Sequence, residues 1–279
     1  MKINYFVKEK VLFAIMAILS LAMYAGIGCA VIFIPHGYIY LIYISLFLIF
    51  SWVGACLFIG RIKGNAIKIS SEQFPEIHNI LKSHAEKLEL KSVPDFYLLQ
   101  GGGLLNAFAT RFKNRNFVVL YSSMVESAYQ EGLEAISFIL GHELGHIKRK
   151  HVHSLKNLLI APARLIPFLG NAYSRACESN CDLVGYSLCP EGATSGILIL
   201  AAGNRLYKNI NTKAFVDGLK NAGFELGFAE FFSTHPALIK RLALIDKLNK
   251  QNSIMQEKTF TSPVIDIQRN ISNVEQQQQ

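Results

Sequence analysis

His142, Glu143 and His146 fall together in the stretch GHELGH, residues 141–146. Around it, LEAISFILGHELGHIKRKH spaces its apolar residues by three and four, which predicts a helix. On a helix, residues i and i+4 share a face. The two imidazoles therefore project side by side, close enough to reach one metal ion at about 2.0–2.1 Å each. Glu143 is offset by about 100° around the axis. It is poorly placed as a third ligand from the same turn, but well placed to take a proton from a water that the metal activates. The chemistry on offer is metal-assisted hydrolysis.

A catalytic zinc needs a third protein ligand and an open fourth position. The H-E-x-x-H spacing is that of zinc peptidases. In the metzincin class a third histidine would stand at 152 and a glycine at 149; those positions hold Val152 and Arg149, which excludes it. His151 and His153 lie in the basic run KRKHVH and read as solvated. The stronger candidate is SRACESNCD, 174–182, on another predicted helix. Glu178 and Asp182 are i and i+4 there, so Glu178 can bind zinc while Asp182 accepts a hydrogen bond from a ligating imidazole. Cys177 and Cys181 share a different face and read as small core residues. One Zn2+ per chain is the expectation, with His142, His146 and Glu178 as its ligands.

Several elements must position these groups. An amphipathic helix is expected over 70–90, and strands at PDFYLL (94–99), LNAFAT (ending at Thr110) and FVVLYS (117–122). RFKNRN supplies the turn between the last two. After the metal helix come helical stretches near 155–168, 172–187, 192–208, 212–222 and 236–250. The tail from 251 to 279 ends in VEQQQQ and reads as disordered.

The N-terminal part has a different character. From Val11 to Gly60 there is no Asp, Glu, Lys or Arg. Pro35-His36-Gly37 divides this run into 11–34 and 38–60, each long enough for the ~20 residues that cross a bilayer as a helix. The first run is also far longer than a signal peptide's apolar segment of about 7–15 residues. Lys2, Lys8 and Lys10 precede the pair, and Arg61, Lys63 and Lys68 follow it. Basic flanks stay inside, so both ends of the hairpin should face the cytoplasm. The domains are then 1–60 (tail and hairpin), 61–250 (metallopeptidase) and 251–279 (tail). The net charge of +8 suits an anionic leaflet. No interleaved basic and aromatic run suggests nucleic acid. Cys177, Cys181 and Cys189 should be reduced thiols in a cytoplasmic domain.

These motifs resemble the membrane zinc peptidases that include the CAAX prenyl proteases and the HtpX-type heat-shock proteases. The likeness covers the chain from about Pro94 to Leu248. GHELGH matches the zinc helix, and SRACESNCD resembles the third-ligand helix, with Cys181 where the family has alanine. NAFAT, 106–110, resembles the family's substrate-facing strand. STHPALIKR, 233–241, resembles its downstream T-H-P segment with a trailing arginine.

The resemblance implies an α+β fold: a mainly helical, gluzincin-like domain with a small sheet, preceded by the transmembrane hairpin. It implies that Asn106, Ala107, Phe108 and Ala109 pair with an extended peptide, and that His235 stabilises the oxyanion. Arg241 takes a structural role. The expected protein is a zinc endopeptidase of the bacterial inner membrane, acting on peptides or proteins in membrane quality control; its oligomeric state is left open. HtpX-type relatives carry two further spans before the third-ligand helix. Here that interval holds only NLLIAPARLIPFLG, 157–170, which packs in the domain or lies at the membrane interface. The rival reading is a non-enzymatic membrane scaffold with a relic zinc site; loss of Glu143 would favour it, and Glu143 is present.

Overall fold

A computed structural model describes residues 3–102 and 106–254. Two helices come first, α1 (Lys8–Phe33) and α2 (Tyr38–Asn65), both long and apolar enough to cross a bilayer. A Cβ at Gly37 would sit 2.4 Å from the Val31 carbonyl oxygen, so the tight return between them requires glycine. Most large side chains along both helices are exposed. Apolar surface on that scale marks a membrane protein. The open ends of the hairpin are built into the folded domain. Glu9, Met16 and Ser20 of α1 are buried, as are Ile59 and Ile62 of α2.

The sheet has four strands, β1 (Ile67–Lys68), β2 (Asp95–Leu99), β3 (Ala107–Phe112) and β4 (Arg115–Tyr121), in the order β1-β2-β4-β3. β2 and β4 are parallel; the outer pairings are antiparallel. α3 (Pro75–Lys87) precedes β2. The hairpin joining β3 to β4 turns on Lys113-Asn114 alone, both at positive φ (45° and 64°). That is the primed two-residue turn whose twist matches the strands. Strand side chains alternate between two cores. Phe96, Leu98, Val118 and Leu120 pack towards the helices, while Tyr97, Phe117 and Val119 pack on Ile59 and Ile62 at the end of α2.

The helical part runs α4 (Ser122–Glu131), α5 (Glu134–Lys148), α6 (Ser154–Leu159), α7 (Ala161–Arg164), α8 (Leu169–Leu188), α9 (Glu191–Leu206), α10 (Thr212–Asp217) and α11 (Phe224–Phe232). A last helix, α12, covers 238–254. Leu140, Leu144, Val184, Ile197 and Ile245 join four of these helices in one core with the inner face of the sheet.

Several expectations shift. The edge strand begins at Ala107; residue 105 of the expected run lies outside the described residues, and Arg111 and Phe112 belong to the strand instead of the turn. The stretch 155–168 is two short helices, broken where Pro162 removes an N–H donor. β1, α4 and α11 were not foreseen. Residues 251–254 continue α12 rather than starting the tail, and 255–279 lie outside the described residues.

Candidate metal centre and cleft

Small residues let α5 and α8 approach closely. A Cβ on Gly141 would lie 3.0 Å from Gly185 Cα, and one on Gly145 would lie 3.2 Å from Cys181 Cα. A methyl group inserted there would cost about 1–3 kcal/mol in forced shifts. The approach gathers three donors. His142 Nε2 is 3.3 Å from His146 Nε2 and 3.3 Å from Glu178 Oε2; His146 Nε2 is 3.4 Å from Glu178 Oε1. Donors held about 2.0–2.1 Å from a tetrahedral zinc stand about 3.3–3.4 Å apart. The two imidazoles stand at that separation and each has one Glu178 oxygen at it, Oε2 for His142 and Oε1 for His146, so these residues fit a zinc ion. Two imidazoles and one carboxylate are also a donor set zinc accepts.

Asp182 is fully buried and takes up the remaining nitrogen of His142, with Nδ1 2.9 Å from Oδ1. Arg241 grips the same carboxylate with two donors, at 2.8 and 2.6 Å. Burial alone would raise the Asp182 pKa, but Arg241 and His142 hold it well below the usual carboxylate range. Glu178 is likewise lowered, to about 2, because its bonds to His142 outweigh burial.

His151 is where the structure departs most from the sequence reading. It is not solvated: its side chain is 7 % exposed. Lys150 takes a positive φ of 60°, His151 N–H donates to His146 C=O, and Lys150 N–H donates to Ile147 C=O. This is a Schellman ending, with lysine in the position glycine usually takes. It folds His151 back so that its Nδ1 lies 3.1 Å from His146 Nδ1, while its Nε2 lies 3.0 Å from Glu9 Oε1. Glu9 also receives Arg149 and Asn180. The start of the first apolar helix is thereby tied to the metal helix.

Cys177 and Cys181 are buried, as expected of small core residues. Each could join His151 in another donor triad, Glu9–His151–Cys177 or His146–His151–Cys181. Burial pushes the Cys177 thiol up to about 12 and Cys181 well above its ordinary value, so without a metal both stay protonated. Glu9 is already paired with Arg149.

Glu143 is buried beside the three donors, next to the Ala109 backbone. Burial pushes its carboxyl up to about 7; the Glu178 charge adds to this, while His142, Ala109 and Arg241 oppose it. Ala109 belongs to the edge strand. Asn106 C=O accepts from Tyr121 N–H, so in the antiparallel pattern residues 107, 109 and 111 turn their backbone groups to the open side. The exposed Asn106 side chain accepts from Ala107 N–H. Ala107, Phe108 and Ala109 line one cleft with His142, Glu143, His146 and Glu178, and His151, Arg164 and Tyr173 complete it. His235 stands at its mouth, 63 % exposed, with Nε2 3.7 Å from Glu178 Oε1. Arg175 holds that segment through the carbonyls of Glu230 and Ser233.

A cleft that joins a metal donor set to the open edge of a strand is the arrangement a metallopeptidase needs. The profile of Peptidase family M48 matches residues 71–161 and 153–249. The chain belongs to that family. No curated protein matches it. Among solved structures, the crystal structure of S. mikatae Ste24p is similar at a TM-score of 0.47 and 16 % identity, over 88 % of this chain and 68 % of that one.

Proposed function

We propose that the protein is a membrane-anchored zinc endopeptidase acting in membrane protein quality control. The observation that carries this reading is the cluster of His142, His146 and Glu178, whose donors approach to 3.3–3.4 Å pair by pair, beside a buried Glu143. His142, His146 and Glu178 hold one zinc per chain. A zinc bound there supplies Lewis-acid polarisation of a carbonyl and acidifies water towards a pKa of about 7. The substrate backbone pairs with the open edge at Ala107 and Ala109, while Asn106 and Phe108 flank that contact. Glu143 takes the proton from the attacking water and passes it to the leaving amine nitrogen. His235 Nε2 donates to the oxygen that gains charge as the carbonyl is attacked. Purified protein in detergent should cleave unfolded casein, and a zinc chelator should abolish the cleavage. No cleavage at full zinc occupancy would leave the non-enzymatic scaffold.

Two groups of residues orient the ligands. Asp182, held by Arg241, fixes His142. His151 and Glu9 fix His146: an imidazole that binds metal through Nε2 keeps its proton on Nδ1, so His151 accepts with Nδ1 and donates Nε2–H to Glu9. Such partners are worth about 10–100-fold in metal affinity. Glu9→Gln should weaken zinc binding by about tenfold in a chelator competition, and His151→Phe by more. Wild-type affinity in both variants would reduce this pair to an anchor for α1.

We infer a bacterial inner membrane with the domain on its cytoplasmic face; the orientation is supported by six basic residues that flank the hairpin, with none in its turn. Cys177, Cys181 and Cys189 are buried and poor reporters. Ser92 is exposed. In a background with Cys29 and Cys56 replaced, Ser92→Cys should resist a membrane-impermeant thiol reagent until the cells are permeabilised. Labelling of intact cells would reverse the orientation.

A further inference from the structure

Ser20 and Tyr24 are polar residues inside an apolar helix, and both are spent on one neighbour. Ser20 Oγ accepts a hydrogen bond from Ala163 N–H at 3.1 Å, and the Tyr24 hydroxyl donates to the Leu158 carbonyl at 2.6 Å. The first is an N–H in the first turn of α7, which helix geometry leaves without an intrahelical partner; the second is a carbonyl in the last turn of α6, which also accepts from the Ile160 N–H. In water such groups bond to solvent. In hydrocarbon only the protein can satisfy them, and Ser or Tyr side chains of a neighbouring span can do so. Pro162 and Pro167 remove two more donors from the same stretch.

The height of the contact agrees. At 1.5 Å per residue, Ser20 lies about 21 Å and Tyr24 about 15 Å along α1 from the turn at Ile34. The hydrocarbon core is about 30 Å thick. With the turn at the far surface, Tyr24 lies near the bilayer midplane and Ser20 in the leaflet on the domain side. The segment they hold turns Leu155, Leu158, Leu165 and Phe168 outward, at 71, 55, 82 and 40 % exposure. The Phe168 ring continues this surface onto α11, 5.3 Å from both Phe231 and Phe232, which are themselves 52 and 62 % exposed.

We propose that α6, α7 and the phenylalanine face of α11 are embedded in the leaflet that α1 and α2 enter, so that one rim of the cleft touches lipid acyl chains. This rests on α1 and α2 crossing the membrane. The occupant is lipid because the patch is continuous with α1, and because the polar groups beneath it are already satisfied by α1. Arg164 lines the cleft at this rim, and its long side chain can reach the headgroups. The rim gives the peptidase of the preceding section a substrate class: polypeptide leaving or lying on the leaflet, which meets the open edge of β3 without crossing bulk water.

The test uses full-length protein in lipid nanodiscs. Trp52, on α2, is the sole native tryptophan and lies about as deep as Ser20, roughly 21 Å from its end of the hairpin. Leu165→Trp and Phe231→Trp are made separately in a Trp52→Phe background. Lipids brominated at mid-chain should quench both new tryptophans by as large a fraction as they quench Trp52 in the wild type, while aqueous acrylamide quenches them little. Quenching of Trp52 by bromine, with Leu165→Trp answering only to acrylamide, overturns the proposal and leaves the spans standing. Neither quencher reaching Leu165→Trp points to protein cover and overturns it as well. If bromine fails at Trp52 itself, the spanning reading falls and takes the proposal with it.

Discussion

Glu143→Gln will keep one zinc per chain and cleave casein at roughly a thousandth of the wild-type rate or less, within the 10²–10⁴-fold that a positioned base contributes. The amide matches the carboxylate in size. Nothing in the donor triangle changes, because Glu143 is not one of its corners. What is lost is the proton acceptor. His146→Ala loses activity for a different reason, by removing a corner and with it the metal. Measuring zinc content beside turnover separates the two. Residual activity above about a tenth of wild type in Glu143→Gln, with zinc retained, would assign the base to another group.

The three donors, Glu143 and Asp182 were legible because helical spacing fixes relative direction over one turn, whatever the tertiary structure. GHELGH and Glu178-to-Asp182 needed only a 3.6-residue period. Gly141 and Gly145 carried a packing message too, since glycine in a helix interior is costly unless something must come close. His151 was not legible. Its return to His146 depends on Lys150 adopting a positive φ, and a lysine there gives none of the warning a glycine would. Glu9 was hidden for another reason: it sits 140 residues or more from Arg149 and His151, and no local pattern reports a contact of that range. α11 was missed because its exposed phenylalanines do not mark a soluble helix face; they become intelligible beside Phe168 and a membrane. β1 has two residues, too few for any alternation to show.

Arg241→Met should be the most destabilising single change at the site that leaves all three proposed ligands intact. Asp182 is fully buried, and Arg241 supplies two of its hydrogen bonds at 2.6–2.8 Å. Removing one partner of a buried ion pair strands the other charge, at a cost of about 3–5 kcal/mol. A domain has only about 5–15 kcal/mol in total, so the melting temperature should fall by roughly 10 °C. Zinc affinity should fall as well, because an unanchored carboxylate no longer orients His142. The double variant Asp182→Asn/Arg241→Met separates these effects. With both charges gone there is no stranded ion, so it should be more stable than Arg241→Met alone. The asparagine oxygen can still accept from His142 Nδ1–H, but a neutral partner makes the ring a weaker ligand. Stability should therefore recover while zinc affinity stays about tenfold down. If the double variant is instead as unstable as the two single losses added together, the pair acts through packing, and the ion-pair account of Arg241 is wrong.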